Sequence, residues 1–186
     1  MKLIIGLGNP ETRYNGTRHN VGFCILDNAA AVFGSHFLPK PKFKAEIAEV
    51  TLGTQKILLV KPTTYYNTSG EAVRSLIDFY HLEPKDCLVV HDELALPIGT
   101  LRTRIGGGSA GNNGVKSITK HVGDATVRLR IGIYSAGRDR MDDADFVLGK
   151  LTSDEKGIID TLQHIALAAI EDFAYDQLHA TTHLAE

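Results

Sequence analysis

Apolar residues recur along this chain in two rhythms. "KLIIGL", Lys2 to Leu7, is a short continuous apolar run interrupted by glycine and predicts a buried first strand. From Val21 the period lengthens: Val21, Ile25, Leu26, Ala29 and Val32 return at helical spacing until Gly34, with Asn20 or Thr17 as the cap. "KAEIAEVTLGTQKILLVKP" then reads as two strands about a Gly-Thr turn, closed by Pro62. A second helix follows over Ser69 to Tyr80, with Val73, Leu76, Ile77 and Tyr80 on one face. "CLVVHDEL" is a buried strand that runs into charge, and "GTLRTRI" is a further one, followed by a glycine-rich loop and the short helix "GVKSITKHV". "VRLRIGIY" alternates with period two, so its arginines share one side and Leu129, Ile131 and Ile133 the other. A last long helix starts near Ser153 with the capping-box spacing Thr152 to Glu155, and turns Ile158, Leu162, Ile165, Ala169 and Phe173 inward. Alternating strands and helices predict a single three-layer α/β domain over residues 1–186, a twisted, mixed, mostly parallel sheet flanked by helices.

Composition changes this picture little. With 186 residues and 43% hydrophobic side chains the chain can fill one core, and no apolar run approaches the roughly 18 to 20 residues of a membrane span. "MKLIIGLGNP" breaks at Gly6, Gly8 and Pro10 too early for a secretory segment, so a cytoplasmic protein is expected. Cys24 and Cys87 lie in apolar segments without paired spacing, which fits reduced, buried thiols better than a disulfide or a zinc site.

Charge changes it more. The net charge of -2 conceals three blocks: residues 1–101 sum to zero, residues 102–140 carry eight basic and two acidic side chains, and residues 141–186 carry two basic and ten acidic ones. Two solvated faces of opposite sign would explain this. The sharper alternative is a local positive field that holds a polyanion.

In sheets of this kind ligands collect outside the carboxyl ends of the strands. The loops "GLGNP", "KPTTYYNTSG", "HDEL" and "GGGSAGNNG" leave such ends and carry Asn9 (with His19 beyond it), Asn67, Asp92 and Asn113 towards one rim. Singly these are ordinary turn and cap residues. Together they offer a histidine, a carboxylate to orient it, and neutral amides that position water or an oxyanion without adding charge. A rival lies in "GGSAG", which satisfies the nucleophile-elbow pattern at Ser109, with Asp142 or Asp145 and His164 following in the required order. "GLGNPE" fails the dinucleotide fingerprint because Glu11 replaces the third glycine, and there is no GxxxxGK[ST] loop.

These motifs also stand together in a known order. Over essentially its whole length the sequence resembles the bacterial-type peptidyl-tRNA hydrolases, through "IIGLGNPETRYNGTRHNVGF", "KPTTYYNTSG", "VVHDELALPIGTLR" and "NNGVKSI". The resemblance implies general-base hydrolysis of the ester joining a peptide to tRNA, which recycles tRNA after drop-off from the ribosome, with no metal or cofactor. It implies His19 as the base, Asp92 as its orienter, and Asn9 on the peptide side. It further implies Asn67 and Asn113 around the carbonyl, the water or the 3' end, and Tyr14 and Tyr65 bordering that end. Arg104 and Arg130 would hold the 5'-phosphate, which agrees with the basic block. The expected partner is the acceptor arm and 3' end of peptidyl-tRNA, and the expected state a monomer. Two positions depart from the family pattern: Tyr66 stands where methionine is usual, and Asn112 where histidine is usual.

Overall fold

The computed structural model describes residues 1–185. The first strand, β1 (Lys2–Gly6), is buried along its whole length, as a continuous apolar run requires. Its side chains alternate between two cores: Leu3 and Ile5 enter one cluster, Ile4 the other. The first cluster is closed by α2 (Gly70–Tyr80) and α3 (Asn113–Val122). The second is closed by α1 (Val21–Val32), α5 (Ser153–Thr161) and α6 (Gln163–Ala174). Helix, sheet and helix are therefore stacked in three layers.

Around β1 the sheet is completed by β2 (Leu38–Lys40), β3 (Ala45–Leu52), β4 (Gln55–Pro62), β5 (Cys87–Pro97), β6 (Thr100–Ile105), β7 (Val127–Tyr134) and β8 (Thr182–Leu184). The strand order is β2-β3-β4-β1-β5-β7-β6-β8. Strands β4, β1, β5 and β7 are mutually parallel in the centre, and antiparallel pairing takes over towards both edges. Only β3 and β6 oppose the common direction, so the sheet is mixed, as the alternation predicts, but three of its neighbouring pairs are parallel and four antiparallel, fewer parallel ones than expected. The β3–β4 turn falls at Gly53, whose φ of 56° suits a residue without Cβ.

Four further expectations need correction. The last helix is two, broken at Leu162: Thr161 Oγ1 donates to the Ile158 carbonyl at 2.7 Å, and the Leu162 N–H reaches back only to Ile159. That pairing tightens the final turn of α5. Ile158 is consequently only half-buried, while Ile159 is fully buried. The sequence reading also missed a short helix, α4 (Asp143–Leu148). Nor did it find the edge strands β2 and β8, the latter ordering Thr182–Leu184 of the tail against β6; Glu186 lies outside the described residues. Cys24 is exposed; Cys87 is the buried thiol, and burial pushes it up to about 12.

What positions the site is the junction of β1, β5 and α1. Gly22, in the first turn of α1, lies against the backbone of both strands: a Cβ there would strike the Val90 carbonyl and come within 2.7 Å of the Leu7 nitrogen. The turn before α1 is thereby set directly against the middle of β5.

Candidate active site

His19 lies in that turn and Asp92 near the end of β5's buried stretch. Their side chains meet, His19 Nδ1 standing 2.9 Å from Asp92 Oδ2, with His19 15% and Asp92 3% exposed. The turn itself is anchored behind the histidine. Arg18 is buried, donates to Glu155 at 2.6 Å, and stacks over the Phe146 ring at 4.3 Å. Glu155 also closes the α5 capping box and accepts from the Ser135 hydroxyl at 2.6 Å. Burial alone would raise the Glu155 carboxyl, but the hydrogen bonds from Arg18, Ser135 and Thr152 outweigh it and hold it below the usual range.

Asn9 is fixed from both ends. Its backbone N–H donates to Asn20 Oδ1 and its carbonyl accepts from Asn20 Nδ2, each at 2.9 Å. Asn20 makes no cap bond to α1; the side chain expected to cap the helix is a clamp on the Asn9 loop instead. Asn9 Oδ1 accepts from the Tyr66 backbone N–H at 2.9 Å, so the amide orientation is settled and its NH₂ is the group free to donate.

The same reasoning fixes the protons around Asp92. Asn112 caps α3, its Oδ1 accepting from the Val115 N–H at 3.0 Å, so its Nδ2 is the donor to the Tyr66 hydroxyl oxygen at 2.8 Å. The Tyr66 proton then points to Asp92 Oδ1. Asp92, an acceptor on both oxygens, takes the His19 Nδ1 proton on the other, which leaves Nε2 with the lone pair. The rings of His19 and Tyr66 are stacked, centroids 3.5 Å apart and 15° from parallel. Burial, and after it the charge of Asp92, pushes the Tyr66 phenol well above its usual value, so it stays a donor. His91, behind Asp92, donates from Nδ1 to the Asp92 carbonyl at 2.7 Å, and burial pushes it down towards the neutral form.

His19 and Asp92 form one wall of a cavity of about 560 Å³ that also brings together Asn9, Tyr14, Tyr65, Asn67 and Asn113. Asn67 and Asn113 stand exposed on its rim, as does Tyr65, whose hydroxyl donates to Glu11. α4, which packs on the turn carrying His19, adds Asp143, Ala144, Val147 and Leu148 to the lining. Its signal lay in "DDADFVLG": Asp142 caps the helix by accepting from the Ala144 and Asp145 N–H groups, and Gly149 follows the last turn. A second hollow beside α1 is larger, about 800 Å³. Most of its charges pair with each other, Lys61 with Asp27 at 2.7 Å and Lys156 with Asp160 at 2.6 Å, and neither His19 nor Asp92 lines it, so size does not select the site.

The basic block divides. Arg128 is buried and donates to the carbonyls of Gly106, Gly107 and Gly108, shaping the glycine loop. Burial lowers its affinity for a proton, with the charges of Arg104 and Arg130 adding to the effect. Arg130 donates to Glu93 at 3.0 Å, both side chains being nearly covered, whereas Arg104 is exposed. Neither Arg104 nor Arg130 lines the cavity.

The Ser109 alternative fails on placement. Ser109 sits in the loop before α3, His164 on α6, and the sheet separates those helices; Asp142 is committed to capping α4.

Comparison with known proteins identifies the family. A family model described as peptidyl-tRNA hydrolase matches residues 3–185. The peptidyl-tRNA hydrolase of Chlorobium luteolum is 45% identical over 185 residues, 98% of this chain and 97% of the relative. That of Lactiplantibacillus plantarum is 45% identical over 172 residues, 92% of this chain and 91% of the relative. The crystal structure of peptidyl-tRNA hydrolase from Acinetobacter baumannii superposes with a TM-score of 0.88 at 35% identity, over 95% of this chain and 90% of that one. A purine nucleoside phosphorylase from Toxoplasma gondii, at 10% identity and a TM-score of 0.58, shares the fold alone. The chain therefore belongs to the peptidyl-tRNA hydrolase family of enzymes.

Proposed function

We propose that the cavity hydrolyses the ester between the peptide's terminal carbonyl and the tRNA ribose by general-base attack of water. The observation that carries this reading is that Asp92 accepts one hydrogen bond on each oxygen, from the Tyr66 hydroxyl on Oδ1 and from His19 Nδ1 on Oδ2. Nε2 of His19 is then the atom that accepts a proton from water as its oxygen bonds to the carbonyl carbon, and Asp92 stabilises the imidazolium formed. The carbonyl electrons move onto oxygen, where the amide NH₂ groups of Asn9, Asn67 and Asn113 are suited to donate. On collapse the imidazolium returns the proton to the leaving ribose oxygen. Carboxylate and amides together leave no charged donor competing for the base.

In this reading Tyr14 and Tyr65 border the terminal adenosine, and the apolar side of α4 at Val147 and Leu148 receives the peptide. Arg104 holds the 5'-phosphate directly, and Arg130 joins by exchanging Glu93 for phosphate. In this reading the enzyme works as a monomer in the cytoplasm, on tRNA released from the ribosome. The test is release of labelled N-acetyl-aminoacyl-tRNA. Turnover is expected, with Asp92→Asn slower by about 10²- to 10⁴-fold through loss of imidazolium stabilisation. A Ser109→Ala enzyme should run at full rate. Tight tRNA binding without any turnover would instead indicate a binding module.

A further inference from the structure

The two departures from the family pattern, Tyr66 and Asn112, are in direct contact: Asn112 Nδ2 donates to the Tyr66 hydroxyl at 2.8 Å. We infer that they form one positioning unit which sets the basicity of His19, because the Tyr66 hydroxyl, polarised by Asn112, shares the Asp92 carboxylate with the imidazole. This rests on the reading of His19 as the base, and it concerns the strength of that base rather than its identity.

The geometry gives the unit a direction. Val115 N–H orients the Asn112 amide, Asn112 donates to Tyr66, Tyr66 donates to Asp92, and Asp92 accepts from His19. Each donation strengthens the next. A proton held on Asp92 Oδ1 draws charge away from Oδ2, so the carboxylate stabilises an imidazolium less than it would with Oδ1 free. A methionine at position 66 has no hydroxyl with which to do this. The phenol ring also lies flat on the imidazole and is itself held in place by Gly114, where a Cβ would strike the ring.

Other groups around His19 are committed elsewhere. Glu93 faces the cavity but pairs with Arg130, and Asp143 pairs with Arg138 at 2.9 Å. Tyr65 donates to Glu11, and Tyr14, the remaining titratable group of the wall, lies under the guanidinium of Arg13. Next to His19 in sequence, Arg18 pairs with Glu155; behind Asp92, His91 is bonded to the Asp92 carbonyl. Tyr66 is thus the one group besides His19 that donates to the Asp92 carboxylate among the described residues.

The experiment is a pH titration of the His19 ring by NMR in the intact protein, alongside the acidic limb of kcat/KM on N-acetyl-aminoacyl-tRNA. Tyr66→Phe keeps the stacked ring and removes only the hydroxyl. Both the His19 midpoint and the acidic limb should move up by about half to one pH unit, the scale on which a hydrogen bond to a neighbouring charge acts. Asn112→Ser retains a helix-capping oxygen and should move them in the same direction by less, with no further shift when added to Tyr66→Phe. A His19 midpoint unmoved by Tyr66→Phe, with native near-UV circular dichroism, would overturn the inference. So would shifts from the two substitutions that simply add. A midpoint that moves while the kinetic limb stays fixed would support the inference and count instead against His19 as the base.

Discussion

Single residues in this protein do several jobs, and that is where the sequence is hardest to read. Asn20 directly precedes an apolar helical run, which is the signature of a cap, yet its amide closes a pair of 2.9 Å hydrogen bonds on the backbone of Asn9. No spacing rule distinguishes the two, because the partner is eleven residues back in a different loop. Replacing Asn20 with Ala should lower kcat on N-acetyl-aminoacyl-tRNA more than it changes tRNA affinity, since the Asn9 amide loses its fixed direction. That His19, Asp92 and the asparagines share one cavity was easier to anticipate: each is a polar residue in, or in the loop or turn following, a strand of the central sheet, and such segments gather on one rim. Glu155 gives a pH-dependent prediction. Its carboxyl sits below the usual value when folded, so the stability it contributes is present above the unfolded carboxylate pKa of about 4.3 and fades as pH falls through the folded one. Glu155→Gln should therefore lower the urea midpoint at neutral pH, and the gap from the parent should narrow in acid.

At the scale of elements, periodicity placed the strands and helices that have a buried face and missed those that do not. β2 and β8 are three-residue edge strands, mostly exposed, and carry too few apolar positions to show a period. α4 buries only Phe146, yet it lines the same cavity as the dyad. The break at Leu162 was invisible because the apolar spacing runs through it; a threonine hydroxyl, not a proline or glycine, makes it. The capping box at Thr152 was read correctly because both partners lie within one turn. Thr152→Ala should cost about 1 kcal/mol by thermal unfolding. Gly114→Ala, which drives a methyl into the Tyr66 ring, should cost about 1 to 3 kcal/mol and lower turnover with it, because the ring stacked on His19 must move.

For the whole molecule, the uneven charge along the chain pointed to a polyanion, but its count overstated the free cations. Arg128 is spent inside the fold and Arg130 is paired, so the basic block presents less positive surface than eight residues imply. The two arginines named for phosphate binding should therefore separate experimentally. Arg104→Ala, on an exposed side chain, should raise KM and flatten its salt dependence without changing Tm. Arg130→Ala should do the same and also lower Tm, because it leaves Glu93 buried without its partner.

The central claim is that Nε2 of His19 takes the proton of the attacking water. Single-turnover hydrolysis of N-acetyl-aminoacyl-tRNA by His19→Ala, with enzyme saturating over substrate, tests it most directly. The account predicts a rate at the uncatalysed background while the tRNA complex forms with parental affinity. A rate within about tenfold of the parent's would be worth only about 1.4 kcal/mol of barrier, too little for a general base, and would contradict it.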